Sequence, residues 1–198
     1  QGCRAAVANG VGAVLVRPSD LDLAKGWISG SGVKLTAMTG YPGGSSTTAA
    51  RLYEARDVLR RGAQELALTM NLGKLVSRKF LYLESELLQM AEHCREAGAR
   101  LRAVFEVDEV QQDHILIGIR LAKRTSVDVM ELAFRTGNAE RMAGVARYVA
   151  HHAKGKLGIA VQAAEMTLDA AIALHQAGAD VLVTPVAVPV AEAWRTEL

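Results

Sequence analysis

Short apolar runs rich in β-branched residues alternate with longer stretches of helical periodicity along the whole chain, the pattern of successive βα units around a parallel sheet. Seven strands are expected, at 12–16 (GAVLV), 33–39 (VKLTAMT), 65–70 (ELALTM), 101–106 (LRAVFE), 127–132 (VDVMEL), 157–161 (LGIAV) and 180–184 (DVLVT). Between them, 46–61, 84–97 and 167–177 space their apolar residues for one face of a helix. Ser45, Ser46 and Thr47 stand before the first of these and Thr167 before the last, as N-caps do. Gly62, Gly98 and Gly178 follow the three helices, where a left-handed residue commonly ends a helix.

Two architectures accommodate such a chain, an open doubly wound sheet or an eight-stranded barrel. An open sheet favours a glycine-rich phosphate loop after its first strand, and Val16-Arg17-Pro18-Ser19 contains no glycine. The barrel is therefore the better reading, as one domain over residues 1–198. Residues 1–10 read as the end of a helix, so the eighth strand is expected ahead of Gln1.

Composition narrows the classes of partner. Half of the 198 residues are apolar, the formal net charge is +2, and no block of like charge forms a nucleic-acid arm or a membrane-surface patch. No apolar run approaches the roughly 18 residues that span a bilayer, and no signal-peptide core opens the chain, so a cytoplasmic setting is expected. Cys3 and Cys94 lack metal-ligand spacing, and His93, His114, His151, His152 and His175 are scattered along helices and their flanks. Neither a metal nor a cofactor is expected.

Several segments in register carry a resemblance. Val14-Leu15-Val16-Arg17-Pro18, Gly40-Tyr41-Pro42-Gly43-Gly44, Glu54 to Leu66 and Met70-Asn71-Leu72-Gly73-Lys74-Leu75 resemble the second to fourth βα units of deoxyribose-phosphate aldolase. The likeness continues more thinly through Val104-Phe105-Glu106, Gly158, Thr167 and Gln176 to Asp180. It implies a (β/α)8 TIM barrel of the aldolase type and class I aldolase chemistry. In that chemistry a lysine amine forms a Schiff base with the aldehyde donor, helped by a second lysine and by aspartates. The substrate phosphate is held on loops after the family's seventh and eighth strands.

The same alignment implies that the reacting groups are changed. The family's Schiff-base lysine falls on Glu131, its second lysine on Ala160 and its strand-four aspartate on Ala67. A carboxylate cannot form an imine, and a methyl group cannot move a proton. The phosphate loops become Ala163-Ala164-Glu165-Met166 and Thr184-Pro185-Val186-Ala187, where a cation is replaced by methionine and Pro185 has no N–H to offer.

None of the seven lysines sits late on a strand, where barrel sites collect their residues; Lys74 and Lys79 lie in the loop after the family's fourth strand, at the correct mouth. Candidate pocket residues are Arg17, Asn71, Glu106, Glu131, Gln162 and Thr184, with Arg17 placed to pair with Glu131 or Glu106. The sequence thus points to a catalytically inactive homologue acting as scaffold, partner subunit or binding protein. The alternative is an active aldolase or lyase on a phosphorylated sugar aldehyde, using Lys74 or the Glu106 and Glu131 carboxylates. A homo-oligomer, or a hetero-oligomer with an aldolase subunit, is the expected assembly, with a small-molecule ligand of unspecified kind.

Overall fold

The computed structural model describes residues 1–135 and 138–197. Seven strands, β1 (Ala13–Val16), β2 (Lys34–Thr39), β3 (Glu65–Thr69), β4 (Arg100–Glu106), β5 (Val129–Phe134), β6 (Gly158–Ala163) and β7 (Val181–Val183), form one all-parallel sheet in sequence order. Helices fill every crossover: α1 (Gly2–Ala8) leads into β1, and α2 (Leu21–Ile28), α3 (Thr48–Arg60), α4 (Leu72–Val76), α5 (Phe80–Glu96), α6 (Gln112–Arg124), α7 (Ala139–Ala153) and α8 (Leu168–Gln176) follow in turn. α9 (Ala187–Glu197) closes the chain. The result is a curled aldolase-type (β/α) barrel sheet in which β1 and β7 each pair with a single neighbour among the described residues.

Side-chain alternation divides each strand between two environments. Leu66 and Leu68, Leu101, Ala103 and Phe105, Met130 and Leu132, and Ile159 and Val161 join the helices in one continuous apolar core. Fully burying one such side chain contributes about 1.5–3 kcal/mol. The alternate residues, Glu65 and Ala67, Arg102 and Val104, Glu131, and Ala160, face into the barrel. Parallel pairing sets Ala67 beside Arg102, Val104 beside Glu131, and Glu131 beside Ala160.

All seven expected strands form, with shifted ends. The fifth begins at Val129 instead of Val127, because Asp128 is engaged below the sheet: its Oδ2 accepts the Leu101 amide at 2.7 Å. The long helix expected from residue 84 begins at Phe80, directly after the short α4 turn. Thr47 and Thr167 cap α3 and α8, accepting the amides of Ala50 and Ala170 at 3.4 and 3.2 Å. Gly62, Gly98 and Gly178 all have positive φ. At Gly44, with φ +62°, an added Cβ would lie 2.6 Å from the Met70 carbonyl oxygen, so only glycine lets this loop close over the end of β3.

Candidate functional site

The barrel interior holds buried charged side chains. Glu131 is 0% exposed and accepts a bond from Arg102 Nη1 at 2.8 Å, while Arg102 Nη2 bonds Glu65 Oε1. Glu65 Oε1 also accepts the Thr36 hydroxyl at 3.2 Å. A guanidinium on β4 thus bridges carboxylates from β3 and β5, donating from one terminal nitrogen to each. Desolvation is the largest influence on Glu131 and pushes its pKa up; the Arg102 charge and hydrogen bond oppose the rise without cancelling it. Glu131 Oε1, Arg102 Nε and Thr69 Oγ1 are buried without a hydrogen-bond partner among the described residues.

A second buried guanidinium sits between α3, α5 and the end of β3. Arg51 bonds Glu86 and the Thr69 carbonyl oxygen, and the Thr48 hydroxyl lies 2.6 Å from the Tyr82 hydroxyl and 3.1 Å from Glu86 Oε1. Burial lowers the Arg51 pKa and raises that of Glu86, in each case against the pull of the partner. This cluster braces the rim of the barrel from outside.

The six pocket candidates are not drawn into one cluster. Glu131 lies deep in the interior, whereas Glu106 is half-buried at the rim and meets Arg135 at 3.4 Å. Arg17 is exposed at the end of β1; the pairing expected of it does not form, because Glu131 and Glu106 bond Arg102 and Arg135 instead. Asn71 caps α4, its Oδ1 accepting the Lys74 amide at 3.0 Å, which ties the side chain to local structure. Gln162 and Thr184 are half-buried on β6 and beyond β7, and Thr184 Oγ1 accepts the Val186 amide at 3.3 Å.

The lysines after β3 take no part in the Glu65–Arg102–Glu131 ion pairs. Lys74 Nζ stands 4.9 Å above the Tyr82 ring, directed at α5, and Lys79 is exposed at the N-cap of α5. Among the described residues no group of acidic, histidine and cysteine side chains converges as a metal site. Two surface cavities, of about 380 and 340 Å³, open between α6 and α7 and between β7, α9 and the start of β1. Neither is lined by Glu131, Ala160 or Ala67.

Arg102 and Glu65 were not singled out from the sequence, although a signal was present. In Leu101-Arg102-Ala103-Val104-Phe105-Glu106 the apolar residues of odd number face the helices, so Arg102 shares the inward parity of Val104 and Glu106. A lone arginine at an inward position of a central strand calls for carboxylate partners, and Glu65 and Glu131 have the parity to supply them.

Comparison with known proteins agrees with the aldolase-type barrel fold. Deoxyribose-phosphate aldolase of Thermococcus gammatolerans is 26% identical over 98% of this chain and 87% of its own length. This chain is a distant relative of deoxyribose-phosphate aldolases. Two solved aldolases superpose closely on it. QR15, an aldolase, does so with TM-score 0.87 at 23% identity, over 98% of this chain and 86% of that one. The tetrameric deoxyribose-phosphate aldolase of Aeropyrum pernix gives 0.85 at 20% identity, over 99% and 82%. No family model matches the chain. Within this chain, Glu131 is paired with Ala160 across β5 and β6, and Ala67 with Arg102 across β3 and β4.

Proposed function

We propose that this aldolase-type barrel does not carry out Schiff-base chemistry and serves as a binding or partner subunit, with small-molecule turnover by an amine excluded from its interior. The observation that carries this reading is the Glu65–Arg102–Glu131 ion triplet. Where imine formation needs an unprotonated amine open to a carbonyl, the interior holds a fully buried carboxylate neutralised by a guanidinium. Fold likeness does not transfer an activity when the reacting groups differ.

Two further points complete the reading. The deoxyribose-phosphate aldolase of Aeropyrum pernix is tetrameric, which favours self-association for this chain as well. Cys3 and Cys94 are both free, and among the described residues no helix is long and apolar enough to cross a membrane; a reducing cytoplasmic setting accords with both.

The test is an assay for retro-aldol cleavage of deoxyribose 5-phosphate, with borohydride present to trap an imine. The expected result is no cleavage and no covalent adduct by intact mass. Turnover or a trapped adduct overturns the reading, and peptide mapping of the adduct then shows whether Lys74 or another lysine carries it.

A further inference from the structure

Two leucines stand in the solvent-facing surface of α5, with Ser85, Gln89, Glu92, Arg95 and Glu96 as its other exposed residues. Leu81 is 84% exposed and Leu88, seven residues on, is 49% exposed, a spacing that sets both on one line of helix surface. Ser85 is exposed between them and is small enough for another helix to approach closely. Tyr53 of α3 is 75% exposed, and α3 runs parallel beside α5, joined by Thr48 to Tyr82 and by Arg56 to His93 at 2.9 Å. A single exposed leucine is ordinary, but an aligned pair with an exposed tyrosine alongside is the kind of patch that marks an interface.

From Lys79 to Glu92 the exposed charges of this face are one cation at its N-terminal end and one anion toward its C-terminal end. Lys79 precedes Leu81 at the N-terminal end, and Glu92 follows Leu88 toward the C-terminal end; both are exposed. Arg78, also at the N-terminal end, is paired with Asp113 of α6 at 2.8 Å, which leaves Lys79 as the cation facing outward. Arg95 continues the Leu81–Leu88 line but falls beyond a pairing centred between those leucines. A twofold axis along the helices would bring like ends together. An axis perpendicular to them makes the helices antiparallel and brings each basic end to the other copy's acidic end. The face is its own complement only in the second arrangement.

We infer that a second copy of this chain packs antiparallel across α5, with Leu81 of one copy against Leu88 of the other, Ser85 near the axis, and Lys79 facing Glu92 at both ends. This rests on the self-association proposed above and identifies its surface. Helices packed in this way by interlocked side chains are common in oligomers, and a partner with no sequence relation to this chain would not require the self-complementary order of charge.

Sedimentation velocity over a concentration series tests it. The full chain is expected to sediment at twice its mass or an even multiple, and Leu81→Glu with Leu88→Glu is expected to halve the assembly while circular dichroism stays native. Lys79→Glu or Glu92→Lys alone is expected to weaken association about tenfold, and the two together to restore it, since each copy then carries the reversed pair. Leu23→Glu, on the exposed face of α2, is expected to leave the mass unchanged. A wild-type chain that is monomeric throughout overturns both self-association and this surface, including when it binds an added aldolase subunit through α5. An oligomer unmoved by the leucine variants, or lost with Leu23→Glu, overturns the surface and leaves self-association standing.

Discussion

At position 131 a carboxylate is kept out of water by a single cation, and that arrangement makes the residue's energetics testable. Breaking a buried ion pair by removing one partner costs about 3–5 kcal/mol, because the other charge is left uncompensated. Arg102→Met leaves Glu131 without its cation and Glu65 with only Arg100, at 3.9 Å, and is expected to destabilise the fold by about that much at neutral pH, read from the urea midpoint. The pH dependence follows from the direction of the Glu131 shift. Its folded-state pKa lies above the ordinary value, so the folded chain binds that proton more tightly than the unfolded one. Its contribution to stability is complete below the unfolded glutamate value of about 4.3 and is lost as the pH rises through the raised value. Glu131→Gln has no such dependence. The stability of wild type relative to this variant is therefore expected to fall from about pH 4 upward in urea titrations; a difference that grows with pH contradicts the assignment. The sequence alone singled out Glu131 as a pocket candidate, but Arg17 was expected to pair with it or with Glu106, since sequence spacing carries no information about depth along the barrel axis.

Among elements, the strands are tied at their lower ends by a repeated device. Gln64, Asp128 and Asp180 each stand just before or at the start of one strand and accept the amide of Leu35, Leu101 or Ile159 at the start of the strand before it, at 3.1, 2.7 and 2.8 Å. Each bond pins the register of two neighbouring strands, and losing the acceptor leaves a half-buried amide short of a partner. Asp128→Ala is expected to cost about 1–3 kcal/mol in thermal or urea unfolding. Asp128→Asn, which retains an acceptor oxygen, is expected to recover most of the loss. At the opposite ends of the strands, Arg51 ties α3 to Glu86 of α5 and to the Thr69 carbonyl at the end of β3. Arg51→Met leaves Glu86 buried and unpaired, and about 3–5 kcal/mol of stability is expected to go with it. Strand positions and helix caps were legible because alternation and capping are local signals. The pins and the Arg51 brace were not, since each joins residues 18 to 35 apart in the chain and has no local periodicity to announce it.

For the whole molecule, the barrel was readable from βα recurrence and from the absence of a phosphate loop after the first strand, whereas what the interior does depends on which side chains meet inside it. The register offers a way to test whether the scaffold alone supports the aldolases' chemistry. Glu131 and Ala160 are directly paired on β5 and β6, and Ala67 lies on β3 two residues before Thr69, the residue that the register aligns with them through Val104. A lysine at 131 would stand beside the Arg102 guanidinium, and a second at 160 would add another positive neighbour. Like charges at close range favour loss of a proton from one amine, which is the state that attacks a carbonyl. The combined variant Ala67→Asp, Glu131→Lys and Ala160→Lys is therefore expected to give a borohydride-trapped adduct with a small aldehyde, mapped to position 131, where the wild-type chain gives none. Arg102 keeps Glu65 as a partner in this variant, so the interior retains one ion pair and the fold is expected to survive, checked by circular dichroism before trapping. A folded triple variant that traps nothing would mean that the interior of this barrel differs from an aldolase site in the direction its strands aim these three side chains, and not only in their identity.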